Sequence, residues 1–383
     1  MDELVPSAKG RVVDDWRELF PSRPVDAPSY ALDLVGPLIA HDERDCLFAR
    51  HDLRPDSDRY QTYYARHPER QALDDELRSL PGLGGGEGPA VKALGDAIFA
   101  SALLLGSEES VQGLPPAGGA GQRVQLPPEE AAAKVKGLAH LLGADLIGIG
   151  PLNPAFVYTH VGRTFYPEQR WGAPIVLDHP YAINLGIRMN VGGLMRTAPQ
   201  YPVLLESANA YARGALIAVQ VATYLRRLGY SARAHHLRNY QVLSVPVAVD
   251  GGLGELARCG FLVTREYGNC LRLATVTTDL PLATDAPVDL GVQHFCERCQ
   301  VCAKECPAGA IPNGPKVEVH RLRKWALDAE RCYRYWLETG SDCALCIVAC
   351  PWSHWALGSR PEETEAPPAG SHLRPARRPN WLR

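Results

Sequence analysis

Apolar residues recur most regularly between Glu206 and Gly229. Leu205, Ala208, Ala212, Ala215, Val219, Ala222 and Leu225 follow helical spacing, which predicts a helix closed by Gly229 as its C-cap. Pro128-Glu129-Glu130 opens a second helix through His140, with its acidic residues in the first turn, where the helix dipole favours them. Val91 to Leu105 has helical composition. Asp145 to Gly150 reads as a short buried strand, and residues 174–189 hold another strand-like run. Ser231 to His236, Tyr240 to Val249, Leu262 to Thr264 and Leu271 to Thr277 are expected as strands, with a turn at Asp250 to Gly254. The Gly/Pro-rich residues 80–90 and 113–122 read as loops. Strands alternating with helices predict an α/β or α+β sheet core, and we assign the class as α+β.

Composition narrows the function. The 383 residues suffice for two domains, or for one large domain with an appendage. Charged residues make up 22% and hydrophobic ones 46%, and the net charge is −3. That balance gives no reason to expect nucleic acid or an anionic membrane as partner. No apolar run reaches bilayer-spanning length. Residues 1–30 contain neither a hydrophobic signal core nor a twin-arginine pair, so a cytoplasmic location is expected.

The cysteines carry the chemistry. Eight of eleven lie between Cys296 and Cys350. Cys296-Glu-Arg-Cys299-Gln-Val-Cys302-Ala-Lys-Glu-Cys306-Pro307 has the spacing of a bacterial ferredoxin, whose fourth cysteine ligates the other cluster. Cys343-Ala-Leu-Cys346-Ile-Val-Ala-Cys350-Pro351 lacks a cysteine at Gly340, which the upstream Cys332 replaces. One [4Fe–4S] cluster is therefore assigned to Cys296, Cys299, Cys302 and Cys350, and a second to Cys306, Cys332, Cys343 and Cys346. Zinc would favour C-x2-C pairs without a third cysteine in step, and disulfides would suit a small secreted domain. Cys46 and Cys259, outside the pattern, are expected to be small buried hydrophobes.

Ahead of the cysteines stand Ala248-Val-Asp-Gly-Gly-Leu-Gly-Glu255, Gly260-Phe-Leu-Val-Thr-Arg-Glu-Tyr-Gly268, Leu271-Arg-Leu-Ala-Thr-Val-Thr-Thr-Asp-Leu-Pro-Leu282 and Phe295-Cys-Glu-Arg-Cys. Upstream are Arg44-Asp-Cys-Leu-Phe-Ala-Arg50, Tyr63-Tyr-Ala-Arg-His-Pro68 and Leu225-Arg-Arg-Leu-Gly-Tyr-Ser-Ala-Arg-Ala-His235. Together these resemble the corrinoid-dependent reductive dehalogenases over roughly residues 30–355. Epoxyqueuosine reductase, of the same wider group, has a similar cluster layout, including the detached cysteine and Cys350-Pro351-Trp352. The resemblance implies a corrinoid-binding α/β core with a nitroreductase-like sheet, followed by a ferredoxin-like two-cluster module. The expected divisions are an N-terminal extension and wrapping segment (1–125), the core (126–290), the cluster module (291–356) and a tail (357–383).

A base-off cobalamin is implied, and no Asp-x-His-x-x-Gly motif is present to supply a histidine ligand. Cofactor-binding candidates are Asn239, Tyr240 and the turn Gly251, Gly252, Leu253, Gly254 and Glu255. Taken alone, that turn reads simply as a tight turn. The family's usual Gly-Glu-x-Gly-Arg becomes Glu255-Leu-Ala257-Arg258 here.

Ser207 and Tyr211, four apart on the long predicted helix, resemble the family's proton-donor motif. Tyr211 is the expected acid, against the plain alternative of a half-buried aromatic residue. Where the family commonly has a basic residue after Tyr-Gly-Pro, this chain reads Tyr267-Gly268-Asn269-Cys270-Leu271-Arg272. Cys270 is thus a candidate catalytic residue, either a neutral donor or a reactive thiolate near Arg272, and Arg272 is the alternative cation. Tyr158, Phe165, Tyr166 and Trp171 could line an apolar substrate pocket or simply pack the core.

The expected activity is reductive cleavage of a carbon–halogen bond, with an aromatic halide as the candidate substrate. Carbon–oxygen cleavage is one alternative, and a corrinoid-free two-cluster electron carrier is another. No flavin or plant-type ferredoxin domain is attached, so an external ferredoxin, flavodoxin or flavin reductase is expected to deliver electrons.

Overall fold

The β-branched and apolar runs pair into one sheet. In this computed structural model, which describes residues 22–112, 123–163, 170–189, 191–237 and 239–353, the strands are β1 (Leu146–Pro151), β2 (Tyr181–Arg188), β3 (Ala232–His235) and β4 (Leu271–Thr278). Their order is β1-β2-β4-β3. Every pair is antiparallel, which decides for α+β over α/β. The 113–122 loop, Phe165 and Tyr166 and the 357–383 tail lie outside the described residues.

Side chains of β2 alternate across the sheet. Ile183, Leu185 and Ile187 face one side and pack with Ala210, Ile217, Ala218 and Val221. Helix α1 (Pro89–Leu104) and helix α2 (Pro128–Leu141) cover the predicted stretches. Helix α3 (Pro202–Arg227) supplies the residues packed on that β2 face. It begins four residues before the expected Glu206, because proline in a first turn forfeits no intrahelical hydrogen bond. It ends as predicted, with Gly229 in the left-handed region at φ +90°.

The other side of the sheet carries helix α4 (Ser244–Asp250), where a strand over Tyr240 to Val249 was expected. Pro246 falls in its first turn, and the Gly251 N–H closes onto the Val247 carbonyl at 3.0 Å. Val247, Ala248, Val249 and Asp250 are buried in succession rather than alternately. Packing on all sides thus overrides the β preference of the valines. Asn184 of β2 fixes the helix by donating to the Val247 carbonyl at 3.1 Å.

The cysteine module follows, with helices α5 (Val292–Cys299), α6 (Ala329–Thr339) and α7 (Leu345–Val348). Upstream segments clasp it. Leu77 packs against Tyr333 and Leu337 of α6. The buried Arg50 binds Asp74 at 3.1 Å and Glu330 at 2.6 Å. Among the described residues no helix is long and apolar enough to cross a membrane.

Candidate functional site

The two cysteine runs bend alike. Gln300 (φ +54°) and Ala344 (φ +58°) adopt the left-handed region directly after Cys299 and Cys343, and each starts a short helix. Non-glycine residues held there mark a conformation imposed by the surroundings. The bend returns the chain so that successive cysteines face one hollow. Cys306, Cys332, Cys343 and Cys346 line a single cavity of about 540 Å³, its open mouth included. Cys332 projects from α6 and lines the same cavity. Cys350 lies with Cys296, Cys299 and Cys302, close enough for their charges to act on one another. Burial pushes Cys296 and Cys343 up to about 12 and Cys332 up to about 11. Iron, rather than water, would have to displace those protons.

The second feature is a polar node on α3. Ser207 and Tyr211 project from the same face, as their spacing predicted. Arg272 of β4 pairs in register with Ile187 and therefore points to the α3 side of the sheet. Its guanidinium lies 5.2 Å from the Tyr211 ring centre. One guanidinium N–H donates to Ser207 Oγ at 2.7 Å and to Asp342 at 3.2 Å. The Ser207 hydroxyl donates to the same Asp342 oxygen at 2.5 Å. Burial pushes the Asp342 carboxyl up, while Arg272 and Ser207 oppose the shift. Tyr211 is half-buried. Arg272 and Asp342 also line the cavity of the Cys306 quartet, so the tyrosine node and that thiol cavity share a wall. Asp342 was not anticipated: the residue before a ligand cysteine carries no sequence signal for a partner 135 positions away.

Cys270 is fully buried within the apolar core beside α3, and burial raises its thiol to about 12, against the weaker pull of Arg272. The cation beside Tyr211 is Arg272.

The glycine turn packs closely on the protein's own backbone. Gly252 holds φ +74°, and a Cβ there would meet the Ala286 carbonyl; one on Gly254 would strike the Val263 carbonyl. The Glu255 carboxylate accepts from the N–H groups of Leu290 at 2.7 Å and Val292 at 3.0 Å, tying the core to the start of α5. Gly251 closes α4, and the Leu253 side chain is buried in the core. Asn239 is buried, accepting from Arg233 at 2.6 Å and donating to the Gly106 carbonyl at 2.5 Å.

Tyr240 lies near Tyr211 and Arg163, and burial raises its phenol. Tyr158 lies 6.0 Å from it, ring centre to ring centre, with the Cys46 thiol 3.5 Å from its hydroxyl. Trp171 lies elsewhere, packed on Leu53, Tyr60, Tyr63 and Tyr64 and donating to the Gly162 carbonyl at 3.0 Å. Glu43, which sequence reasoning also missed, is completely buried near Tyr240. One of its oxygens accepts from Gly162 N–H at 2.7 Å, the other has no partner among the described residues, and burial raises it to about 7.

Comparison with known proteins bears on the cysteine module and the fold. The 4Fe-4S dicluster domain family matches residues 295–354. Tetrachloroethene reductive dehalogenase of Desulfitobacterium hafniense is 34% identical over 268 residues, covering 59% of this chain and 48% of that protein. The enzyme of the same name from Sulfurospirillum multivorans is 33% identical over 259 residues, 59% of this chain and 51% of its own. The solved structure of the N-terminally tagged catabolic reductive dehalogenase NpRdhA superposes with a TM-score of 0.67 at 29% identity, covering 88% of this chain and 44% of that one. Another reductive dehalogenase structure, described as suggesting a mechanism for B12-dependent dehalogenation, gives 0.65 at 28% identity, with 88% and 44% covered. The chain is similar to the reductive dehalogenases and spans about half the length of the curated relatives it matches.

Proposed function

We propose that this chain is a corrinoid- and iron–sulfur-dependent reductase that replaces a carbon–halogen bond by carbon–hydrogen. The observation carrying this reading is the shared wall between the Tyr211–Arg272–Ser207–Asp342 node and the cavity of the Cys306 quartet. A plain two-cluster electron carrier has no use for such a node. Two [4Fe–4S] clusters suit the two thiol quartets, with the Cys306 quartet as the inner one, nearer Tyr211.

For a base-off corrinoid, the site offers Tyr240 and Tyr158, with the unpaired buried oxygen of Glu43 near Tyr240. The Gly251–Glu255 turn, filled by backbone, contributes support rather than contact. When bound, the corrinoid supplies the electrons that break the carbon–halogen bond.

The overall change consumes two electrons and one proton and releases halide. Tyr211 donates the proton from its hydroxyl to the carbon. Arg272, over its ring, stabilises the phenolate left behind. Asp342 and Ser207 hold Arg272 in that place. An external ferredoxin, flavodoxin or flavin reductase would feed the outer cluster, and the oxygen-sensitive clusters suit the cytoplasm.

Anaerobic protein supplied with cobalamin and a low-potential reductant should release bromide from a bromophenol, with deuterium from D2O appearing at the vacated carbon. Fully metal-loaded protein that releases no halide from any halophenol or alkyl halide would refute the proposal.

A further inference from the structure

Arg258 closes the stretch Glu255-Leu-Ala257-Arg258, and neither the tyrosine node nor the thiol quartets use it. It is 2% exposed, and its side chain turns into the cysteine module. Nε donates to the Cys296 carbonyl at 2.9 Å, and Nη1 donates to the carbonyls of Pro312 at 2.8 Å and Gly314 at 2.9 Å. The guanidinium carbon lies 4.5 Å from the ring centre of Trp325. That ring belongs to one buried apolar group with Cys296, against which Cys302 and Cys350 pack. Lys316 meets the same ring at 5.0 Å, but it has Asp33 as an acid partner. Arg258 has no carboxylate partner among the described residues. Arg226, bonded to the Val111 and Ala232 carbonyls, shows that carbonyls can hold a buried guanidinium. The want of a carboxylate therefore names no counter-ion by itself; the position of Arg258 does. It grips the backbone of a residue of the outer quartet, among apolar side chains that screen charge poorly.

On the two-cluster reading above, we infer that Arg258 is a positioning residue of the electron relay, a fixed positive charge beside the outer quartet that raises the reduction potential of its cluster. A guanidinium stays charged throughout the working range of a protein, so the effect involves no proton. Four thiolates outweigh the charge of a cubane core, and the one electron taken from an external donor adds a further negative charge. That added charge costs less beside Arg258, and the outer cluster accepts the electron more readily. A unit charge about 8–10 Å away, at the effective dielectric of a protein interior, favours the reduced form by about tenfold, or about 59 mV for a one-electron couple.

The test is an EPR-monitored redox titration, with iron analysis, of the unaltered chain, Arg258→Gln and Arg258→Lys. Glutamine keeps an N–H donor for the carbonyls and removes the charge, whereas lysine keeps the charge and gives up the planar fork. All three should hold about eight irons, four per cubane. Arg258→Gln should shift the outer cluster about tenfold toward the oxidised form at fixed potential, with the inner one moving clearly less. Arg258→Lys should stay near the unaltered chain. Unmoved potentials in an iron-complete Arg258→Gln protein overturn the inference. An equal shift in Arg258→Lys also overturns it, by tracing the effect to the fork and not to the charge. Iron lost from Arg258→Gln but kept in Arg258→Lys supports it, because the cluster then needs the charge. Iron lost from both overturns it, by making Arg258 a packing residue. Fewer than about eight irons in the unaltered chain would instead overturn the two-cluster reading itself, and this inference with it.

Discussion

Replacing Tyr211 by phenylalanine removes one oxygen and little else. The ring remains under Arg272, whose guanidinium 5.2 Å away interacts with a phenyl face as well as with a phenol. Among the described residues the Tyr211 hydroxyl has no hydrogen-bond partner, so no buried group loses one. The cost in stability should stay below about 1 kcal/mol, the net worth of an ordinary hydrogen bond. Ser207, Arg272 and Asp342 keep their mutual bonds, so the wall of the inner thiol cavity is undisturbed. Turnover should respond very differently. A general acid contributes about 10²- to 10⁴-fold, or about 2.7 to 5.5 kcal/mol of barrier. Halide release at saturating substrate should therefore fall at least about a hundredfold while iron and cobalt contents stay constant. Near-full turnover in Tyr211→Phe would remove Tyr211 as the proton donor, and loss of iron would show that the node is structural.

Cys332→Ser should lose about half of the iron, one cubane of two, while Cys46→Ser keeps both; equal iron in the two variants would separate Cys332 from the inner quartet. Glu43 is raised from 4.5 to about 7 by burial, so its protonated form is favoured in the folded state. Its stabilising effect is complete below about pH 4.5 and is lost as pH rises to about 7, a difference on the order of 3 kcal/mol. Glu43→Gln should flatten the thermal midpoint across that window, and an unchanged slope would reject the assignment. Cys270, raised to about 12, should resist iodoacetamide at neutral pH in the folded protein; faster labelling than a free cysteine would reinstate the thiolate.

What the sequence shows depends on whether the cause is local. The repeat of small apolar residues along α3 produces a helix wherever it is placed, and its period puts Ser207 and Tyr211 on one face. Cys306, Cys332, Cys343 and Cys346 line one cavity, a grouping legible from the close spacing of the second run and from Cys332 standing in for its missing cysteine. Ser244 to Asp250 was misread because its valines are buried on every side, which erases the alternation that separates strand from helix. The glycines of the Gly251–Glu255 turn answer to the carbonyls of Ala286 and Val263, and contacts across such gaps leave no local pattern. The same is true of Asp342, whose meaning depends on Ser207 and Arg272, brought to it only by the packing of α3 on the sheet.

The proposed chemistry requires a corrinoid and two clusters on one chain. Cobalt and iron should be counted together in protein expressed with cobalamin, purified anaerobically and freed of unbound cofactor. About one cobalt and eight irons per chain is the predicted result. A full complement of iron with no cobalt would contradict it, leaving a two-cluster electron carrier with an idle tyrosine beside its inner cavity.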